Sequence, residues 1–174
     1  MILWVTGISG TGKTTIAKPL YKKFKKKYKN SLYLDGDEIR SVFQNNLKYT
    51  LKDRNKNAER FIALVKYFSD QKINLIISAN ITSNKYRLIA RRKLKNFLEI
   101  HINANLKNLI KRDYKNLYKN ALKGKIKNVV GVDIKYQKPK KVDFIIENNG
   151  SKKEFLNNIK TILLNLKKNK KKIF

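Results

Sequence analysis

The chain has 174 residues, 41% of them hydrophobic, which fits one independently folding domain with a proper core. It contains no cysteine, which excludes disulfides and thiolate metal centres, and no apolar run near the roughly 18 residues of a membrane-spanning helix. Its formal charge of +30, from 42 basic and 12 acidic residues, points on its own to nucleic acid or an anionic surface.

In chain order, the apolar run Ile2-Leu3-Trp4-Val5 reads as a strand, and Gly7-Ile8-Ser9-Gly10-Thr11-Gly12-Lys13-Thr14-Thr15 follows it directly. This has the phosphate-loop spacing of Gly, four residues, Gly, Lys, then Ser or Thr, in the strand-then-helix context the motif requires. Gly7, Gly10 and Gly12 let successive N–H groups turn inward around a phosphate chain. Ser9, Thr11 and Thr15 complete the candidate ATP cradle. Lys13 supplies a point charge for the outer phosphates and the Thr14 hydroxyl a ligand for Mg²⁺. A strand opening at residue 2 leaves no room for a signal or transit peptide, and with the absent cysteines this favours a cytoplasmic setting.

Ile16, Leu20, Phe24 and Tyr28 fall at helical spacing, with Pro19 inside the pattern predicting a kink or an early helix start. Ser31 to Leu34 reads as a short strand ending at Asp35-Gly36-Asp37. A helix is expected from near Asp53 to Gln71, on the broad apolar face of Ala58, Phe61, Ile62, Leu64, Val65 and Phe68. Ile73 to Ala79 reads as a strand covered on both faces, and a basic helix follows from about Asn84 to Leu94. In the next strand, Phe97 to Ile102, His101 alternates with apolar neighbours and is expected to be a satisfied sheet residue, since acid–base chemistry usually shows a second titrating partner. One helix is expected over Leu106 to Leu122, then a loop from Lys123 to Lys141 and a last strand from Val142 to Glu147. Ser151-Lys152-Lys153-Glu154 is a capping box opening a final helix. The pattern predicts a single α/β domain over residues 1–166, with a five-stranded parallel sheet between helical layers and ligands at the carboxyl ends of the strands. A disordered basic tail is expected from residue 167 onward.

The lysines are scattered over almost every segment, whereas a nucleic-acid stripe interleaves basic and aromatic residues on one face. No specific nucleic-acid or membrane partner is therefore expected. A basic, nucleotide-dependent nucleic-acid binder is the alternative from another class. Only seven of the 42 basic residues are arginine, so their positions carry more information than those of the lysines.

Asp35 and Asp37 stand where the second strand runs out, on the same rim as the phosphate loop. In an extended chain residues two apart face the same way, so both carboxylates are expected toward the triphosphate. Phosphoryl transfer needs an anion to position Mg²⁺ and an acceptor for the attacking hydroxyl's proton. Lys13, Asp35 and Asp37 are the candidate catalytic residues: Asp37 is assigned to the hydroxyl, and Asp35 supports it and, with Thr14, the metal.

With these residues in place the chain resembles the adenylylsulfate (APS) kinase family. The phosphate loop and Leu34-Asp35-Gly36-Asp37-Glu38-Ile39-Arg40 are similar to that family's loop and its Asp-Gly-Asp-Asn-Val-Arg segment. Asp53-Arg54, Asn57 and Arg60 resemble further family positions, as does Lys111-Arg112-Asp113 with Lys115, Leu117 and Tyr118, the family's mobile lid. Lys127 to Asp133, with Tyr136 and Pro139, resembles the segment that closes over the acceptor. The resemblance covers roughly residues 1 to 150. It implies a phosphate-loop kinase fold and transfer of the ATP γ-phosphate to the 3'-hydroxyl of a nucleotide-linked small anion, in a protein that can form a homodimer. Arg40 and Arg54 are then candidates to fork onto acceptor anions, Asn57 to bond sugar or base, and Arg112 to cover the transferring phosphate on the ATP side. Ile81, Thr82, Lys127, Val129 and Gly131 join the acceptor site by the same resemblance.

Two departures bear on the acceptor. The family sandwiches the acceptor's adenine between two aromatic rings. Here the first position is Tyr49, still a ring, but the second is Val129, which has no π-face; loss of one stacking side costs on the order of 1–3 kcal/mol. The family's Phe-Ile-Ser-Pro has become Asn80-Ile81-Thr82-Ser83. A smaller, more polar pocket suits a pyrimidine, which points to the cytidine diphosphoramidate kinases of capsule phosphoramidate synthesis, with adenylylsulfate as the alternative acceptor.

Overall fold

The computed structural model describes residues 1–113 and 115–168. Five parallel strands, β1 (Ile2–Thr6), β2 (Ser31–Asp35), β3 (Asn74–Ser78), β4 (Phe97–Asn103) and β5 (Phe144–Glu147), form one sheet in the order β2-β3-β1-β4-β5. Seven helices are described: α1 (Lys13–Lys27), α2 (Gly36–Val42), α3 (Leu51–Asp70), α4 (Asn84–Lys93), α5 (Leu106–Lys111), α6 (Leu117–Leu122) and α7 (Lys152–Lys168).

β1 is the centre, and its alternation builds two cores. Ile2 and Trp4 face one way, packing with Phe61, Ile62 and Val65 of α3 and Tyr86 and Ala90 of α4. Leu3 and Val5 face the other, against Ile16 and Leu20 of α1 and Phe155, Ile159 and Ile162 of α7. Each such aliphatic side chain contributes roughly 1.5–3 kcal/mol by leaving water. Because the chain winds from β1 toward β2 on one side and toward β4 on the other, a crevice opens at the carboxyl end of β1, where the phosphate loop sits. A third cluster joins Ile8 of that loop to Leu109, Tyr118, Ala121, Val129 and Val130, tying the loop to the segments beyond β4.

Four details depart from the sequence reading. α1 runs from Lys13 to Lys27 with Pro19 inside it, so the proline does not mark a helix start; the i−4 carbonyl that it cannot pair is that of Thr15, an exposed residue. β2 does not continue through Asp37: Asp35 is the N-cap of the short helix α2, its carboxylate accepting the Asp37 N–H at 3.0 Å. The single helix expected over residues 106–122 is two, because Asn116 is left-handed at φ 53°. The Asp113 carboxylate closes the break by accepting the N–H groups of Leu117 and Lys119, each at 2.9 Å. The last helix keeps its capping box, with Glu154 N–H on Ser151 Oγ and Ser151 N–H on Glu154 Oε2, but runs to Lys168, two residues past the expected domain end. The rest of the expected tail, residues 169–174, lies outside the described residues.

Candidate active site

The phosphate loop is shaped from within before any ligand arrives. The Thr11 hydroxyl donates to the Ile8 carbonyl at 2.9 Å and Lys13 Nζ donates to the same oxygen at 3.0 Å. Gly7 sits at φ 144°, where a Cβ would lie 2.5 Å from Thr11 Oγ1 and 2.7 Å from the Ile102 carbonyl. Gly12, at φ 92°, would drive a Cβ to 2.8 Å from the Phe155 ring. Both glycines are therefore demanded by the backbone turn and by close approach of neighbours. From outside, the Tyr118 hydroxyl donates to the Ser9 carbonyl at 2.7 Å, and Asn148 Nδ2 donates to the Thr11 carbonyl at 2.9 Å.

The loop forms one end of a cleft of about 800 Å³. Burial there pushes the Lys13 ammonium down to about 8, against the opposing pull of Asp37 and then Asp35, with Lys115 pushing the same way as burial. The lysine is thus held beside two carboxylates in a poorly solvated place, a position completed by a polyanion. Thr14 Oγ1 lies 3.3 Å from Asp35 Oδ2 and 3.2 Å from Ser78 Oγ. The Tyr33 hydroxyl donates to the same Asp35 oxygen at 2.8 Å, and burial together with this bond raises the tyrosine's pKa. Among the described residues no group of three His, Cys, Asp or Glu side chains could hold a metal. One hydroxyl and one carboxylate beside a phosphate site are instead the sparse oxygen set that Mg²⁺ takes when phosphates and water complete its octahedron.

The two aspartates converge on the cleft, though by a route other than a strand pleat: Asp35 caps α2 and Asp37 lies in its first turn. Their surroundings differ. Asp35 is committed to Tyr33, Thr14 and the Asp37 N–H, whereas the Asp37 carboxylate carries no hydrogen bond among the described residues.

At the other end of the cleft, Arg40 and Arg54 flank Tyr49, their guanidinium carbons 4.6 Å and 5.2 Å from its ring centre. Arg40 Nη1 and Nη2 donate to the carbonyls of Leu47 and Lys48, and Arg54 Nε and Nη2 to those of Tyr49 and Asn128. Each arginine spends two of its five donors on the frame and keeps three. Asn128 and Val129 are held in turn by the Asp133 carboxylate, which accepts both of their N–H groups.

Of the site residues expected from sequence, the cleft brings together Ser9, Gly10, Gly12, Lys13, Thr14, Thr15, Asp35 and Asp37 at one end. Arg40, Tyr49, Arg54, Asn57, Ile81, Thr82, Lys127 and Val129 line the other. Four expected residues are not on its wall. Gly7 and Thr11 shape the loop from behind, and Gly131 makes a turn at φ 97°. Arg112 spans to the carbonyls of Asn148 and Gly150, beside the phosphate loop, and it is Lys115 that lines the cleft. His101, as expected, is a sheet residue, with Nδ1 3.3 Å from Thr6 Oγ1 and its ring stacked on Tyr136. Sequence reasoning left out Ser78 and the bond from Tyr118 to Ser9, and took Asn80 as an added amide in the acceptor pocket without a role of its own. Only Ser78 had a usable signal, a hydroxyl ending the apolar run beside the strand that leads to the phosphate loop.

Known proteins resemble this chain in sequence and in fold. A family model described as adenylylsulphate kinase matches residues 1–147. The chain is 39% identical over 147 residues to the cytidine diphosphoramidate kinase of Campylobacter jejuni, covering 84% of this chain and 85% of that protein. It is 35% identical over 141 residues to the adenylyl-sulfate kinase of Phocaeicola vulgatus, covering 80% and 69%. Among solved structures, the APS kinase of Mycobacterium tuberculosis in complex with AMPPNP and APS superposes with a TM-score of 0.82 at 26% identity, covering 95% of this chain and 96% of that one.

Proposed function

The chain belongs to the adenylylsulphate kinase family, and from that premise we propose that it phosphorylates the ribose 3'-hydroxyl of cytidine diphosphoramidate, with ATP as donor. The class of chemistry, phosphoryl transfer to an alcohol, follows from the family. The acceptor is the inference. The observation that carries it is that Val129, 4% exposed, and Asn80 line the cleft; by the resemblance, these are places where the family has aromatic rings. Of the family's two clamp positions only Tyr49 then offers a ring to the base, and the narrower demand of a pyrimidine fits what is left. The 39% identity to the Campylobacter enzyme supports the same reading.

In this reading the ATP phosphates lie on the main-chain N–H groups of residues 9–15, with Lys13 against the outer phosphates. Thr14 and Asp35 are the residues that would hold Mg²⁺, which when bound neutralises charge building on the phosphate oxygens. The remaining donors of Arg40 and Arg54 take the acceptor's anionic groups and set the ribose against Asp37. The 3'-oxygen forms its bond to the γ-phosphorus as the bond from that phosphorus to the bridging oxygen breaks. ADP leaves, and the hydroxyl proton passes to Asp37, the carboxylate that carries no hydrogen bond among the described residues.

The alternative acceptor, adenylylsulfate, is favoured by Tyr49 and by the relatives named adenylyl-sulfate kinase. Offering the purified protein ATP-Mg²⁺ with either acceptor under matched conditions decides between them. Faster turnover of cytidine diphosphoramidate is expected; faster turnover of adenylylsulfate would refute the pyrimidine assignment.

A further inference from the structure

The acceptor end of the cleft holds one polar atom that the folded chain leaves unused. Asn80 follows β3, two residues after Ser78, and its Oδ1 is shielded from solvent with no hydrogen-bond partner among the described residues. Its Nδ2 reaches Thr82 Oγ1 at 3.4 Å, which leaves one amide hydrogen free. The cleft wall carries buried apolar residues, Ala58, Phe61, Ile81 and Val129, each less than 9% exposed, beside the polar Asn57 and Thr82. Among the described residues two other buried side-chain atoms lack a hydrogen-bond partner, Arg87 Nη2 and Glu99 Oε2, but they belong to the ionic cluster of Arg87, Arg91 and Glu99, which is not on the cleft wall.

An unpaired acceptor shielded from water destabilises the folded chain unless a ligand brings the missing donor. We propose that Asn80, a cleft-lining residue whose Oδ1 is turned away from solvent in the ligand-free chain, rotates its amide to read the amino-bearing edge of the acceptor's base: Oδ1 then accepts from the exocyclic amino group and Nδ2 donates to the adjacent ring nitrogen. This rests on the cytidine reading above, in which the two partners are N4 and N3. Asparagine offers an acceptor beside a donor, and cytosine presents the matching donor beside an acceptor. Uracil presents the reverse, a carbonyl at O4 and an N–H at N3, so each group of Asn80 would face its own kind. The mismatch leaves buried groups unpaired and weakens the uridine form on the order of 10- to 100-fold. Asn80 is then the residue that makes a pyrimidine pocket a cytosine pocket, a discrimination Tyr49 stacking cannot supply because every base has a π-face.

The test is steady-state kinetics with ATP-Mg²⁺ on cytidine diphosphoramidate and its uridine counterpart, for the unmodified protein, Asn80→Leu and Asn80→Ala. The unmodified protein is expected to favour the cytidine form by at least about tenfold in kcat/KM. Either variant should narrow that gap to below about threefold, with the larger part of the loss in KM for the cytidine form. A gap that persists unchanged in the variants, or no gap in the unmodified protein, overturns the assignment. Asn80→Ala decides should the bulkier leucine fail to fold. If adenylylsulfate proves the better acceptor, the cytosine reading fails by itself. Asn80 is then judged by the same criterion on adenylylsulfate and its hypoxanthine counterpart: a narrowed preference for the amino-bearing base upholds the role, and an unchanged one ends it.

Discussion

Replacing Lys13 by methionine should make the ligand-free protein more stable while removing its activity. The lysine's pKa is pushed from the ordinary 10.5 to about 8, chiefly by burial, and at about 1.4 kcal/mol per pKa unit this is a cost of roughly 3 kcal/mol to the folded state. Lys13 is only partly buried from solvent, and water in the open cleft screens the cost to about 2 kcal/mol. The sign follows from the direction. With the folded pKa depressed, both folded and unfolded chains are protonated below about 8 and the penalty is present in full; it fades as pH rises from about 8 to 10.5, where the folded lysine is neutral. Methionine keeps the unbranched volume and drops the charge. The Ile8 carbonyl loses the Lys13 bond but keeps the Thr11 hydroxyl at 2.9 Å, so little is left unpaired. A net gain of about 1–2 kcal/mol at pH 7 should raise Tm by roughly 2–6 °C. Thermal melts at pH 7 and pH 10, without nucleotide, are the assay, beside a turnover measurement in which Lys13→Met falls at least about 100-fold. A lower Tm for the variant at pH 7, or an equal gain at both pH values, would refute the view that the cleft holds this charge at a cost until phosphate arrives.

Asp37→Ala should leave ATP affinity within about threefold while lowering turnover by on the order of 10²–10⁴, since a proton acceptor acts only in the chemical step; unchanged turnover, read beside nucleotide titration, would remove its role. Val129→Phe restores a ring to the acceptor wall and should shift relative kcat/KM toward adenylylsulfate by roughly 5- to 100-fold; no shift would mean that stacking at this position does not select the base. His101, 6% exposed, has its pKa lowered to about 4 by burial and by the positive charges of Arg87 and Lys138. Its depressed folded pKa means that stability is intact above about 6.5 and drains as pH falls toward 4, by roughly 2 kcal/mol at pH 5. His101→Phe should therefore lose less stability than the parent between pH 7 and 5 in urea titrations, and parallel losses would contradict the assignment.

How far the architecture could be read in advance depended on the kind of signal. Strand runs such as Leu3 to Val5 and Leu75 to Ile77 are apolar on both faces, and the phosphate loop carries its own spacing, so sheet and loop were legible. The site was legible where function demands a residue type, as at Lys13, Thr14 and Asp35. It was less legible where neighbours decide. α2 has seven residues, too few for a periodic signal, and only the cap at Asp35 reveals why the chain turns there. The break between α5 and α6 hangs on Asn116 in a left-handed conformation and on one carboxylate, while the flanking apolar residues kept helical spacing across it. Tyr118 could be matched to a lid by resemblance, but its bond to Ser9 spans 109 residues and is a product of the fold. The buried pair of Arg87 and Glu99 was likewise invisible, because β4 brings the glutamate under α4 only once both have packed.

The proposed reaction carries a phosphoryl group within this cleft from the loop around Lys13 to the ribose alcohol set against Asp37. Its most direct test is the site of phosphorylation, read by phosphorus–proton correlation NMR on the product formed from ATP-Mg²⁺ and cytidine diphosphoramidate. The new phosphorus should couple to the proton on the 3'-carbon of the ribose. A phosphate found on the 2'-oxygen or on the diphosphoramidate chain, or ADP released with the acceptor unchanged, would contradict it.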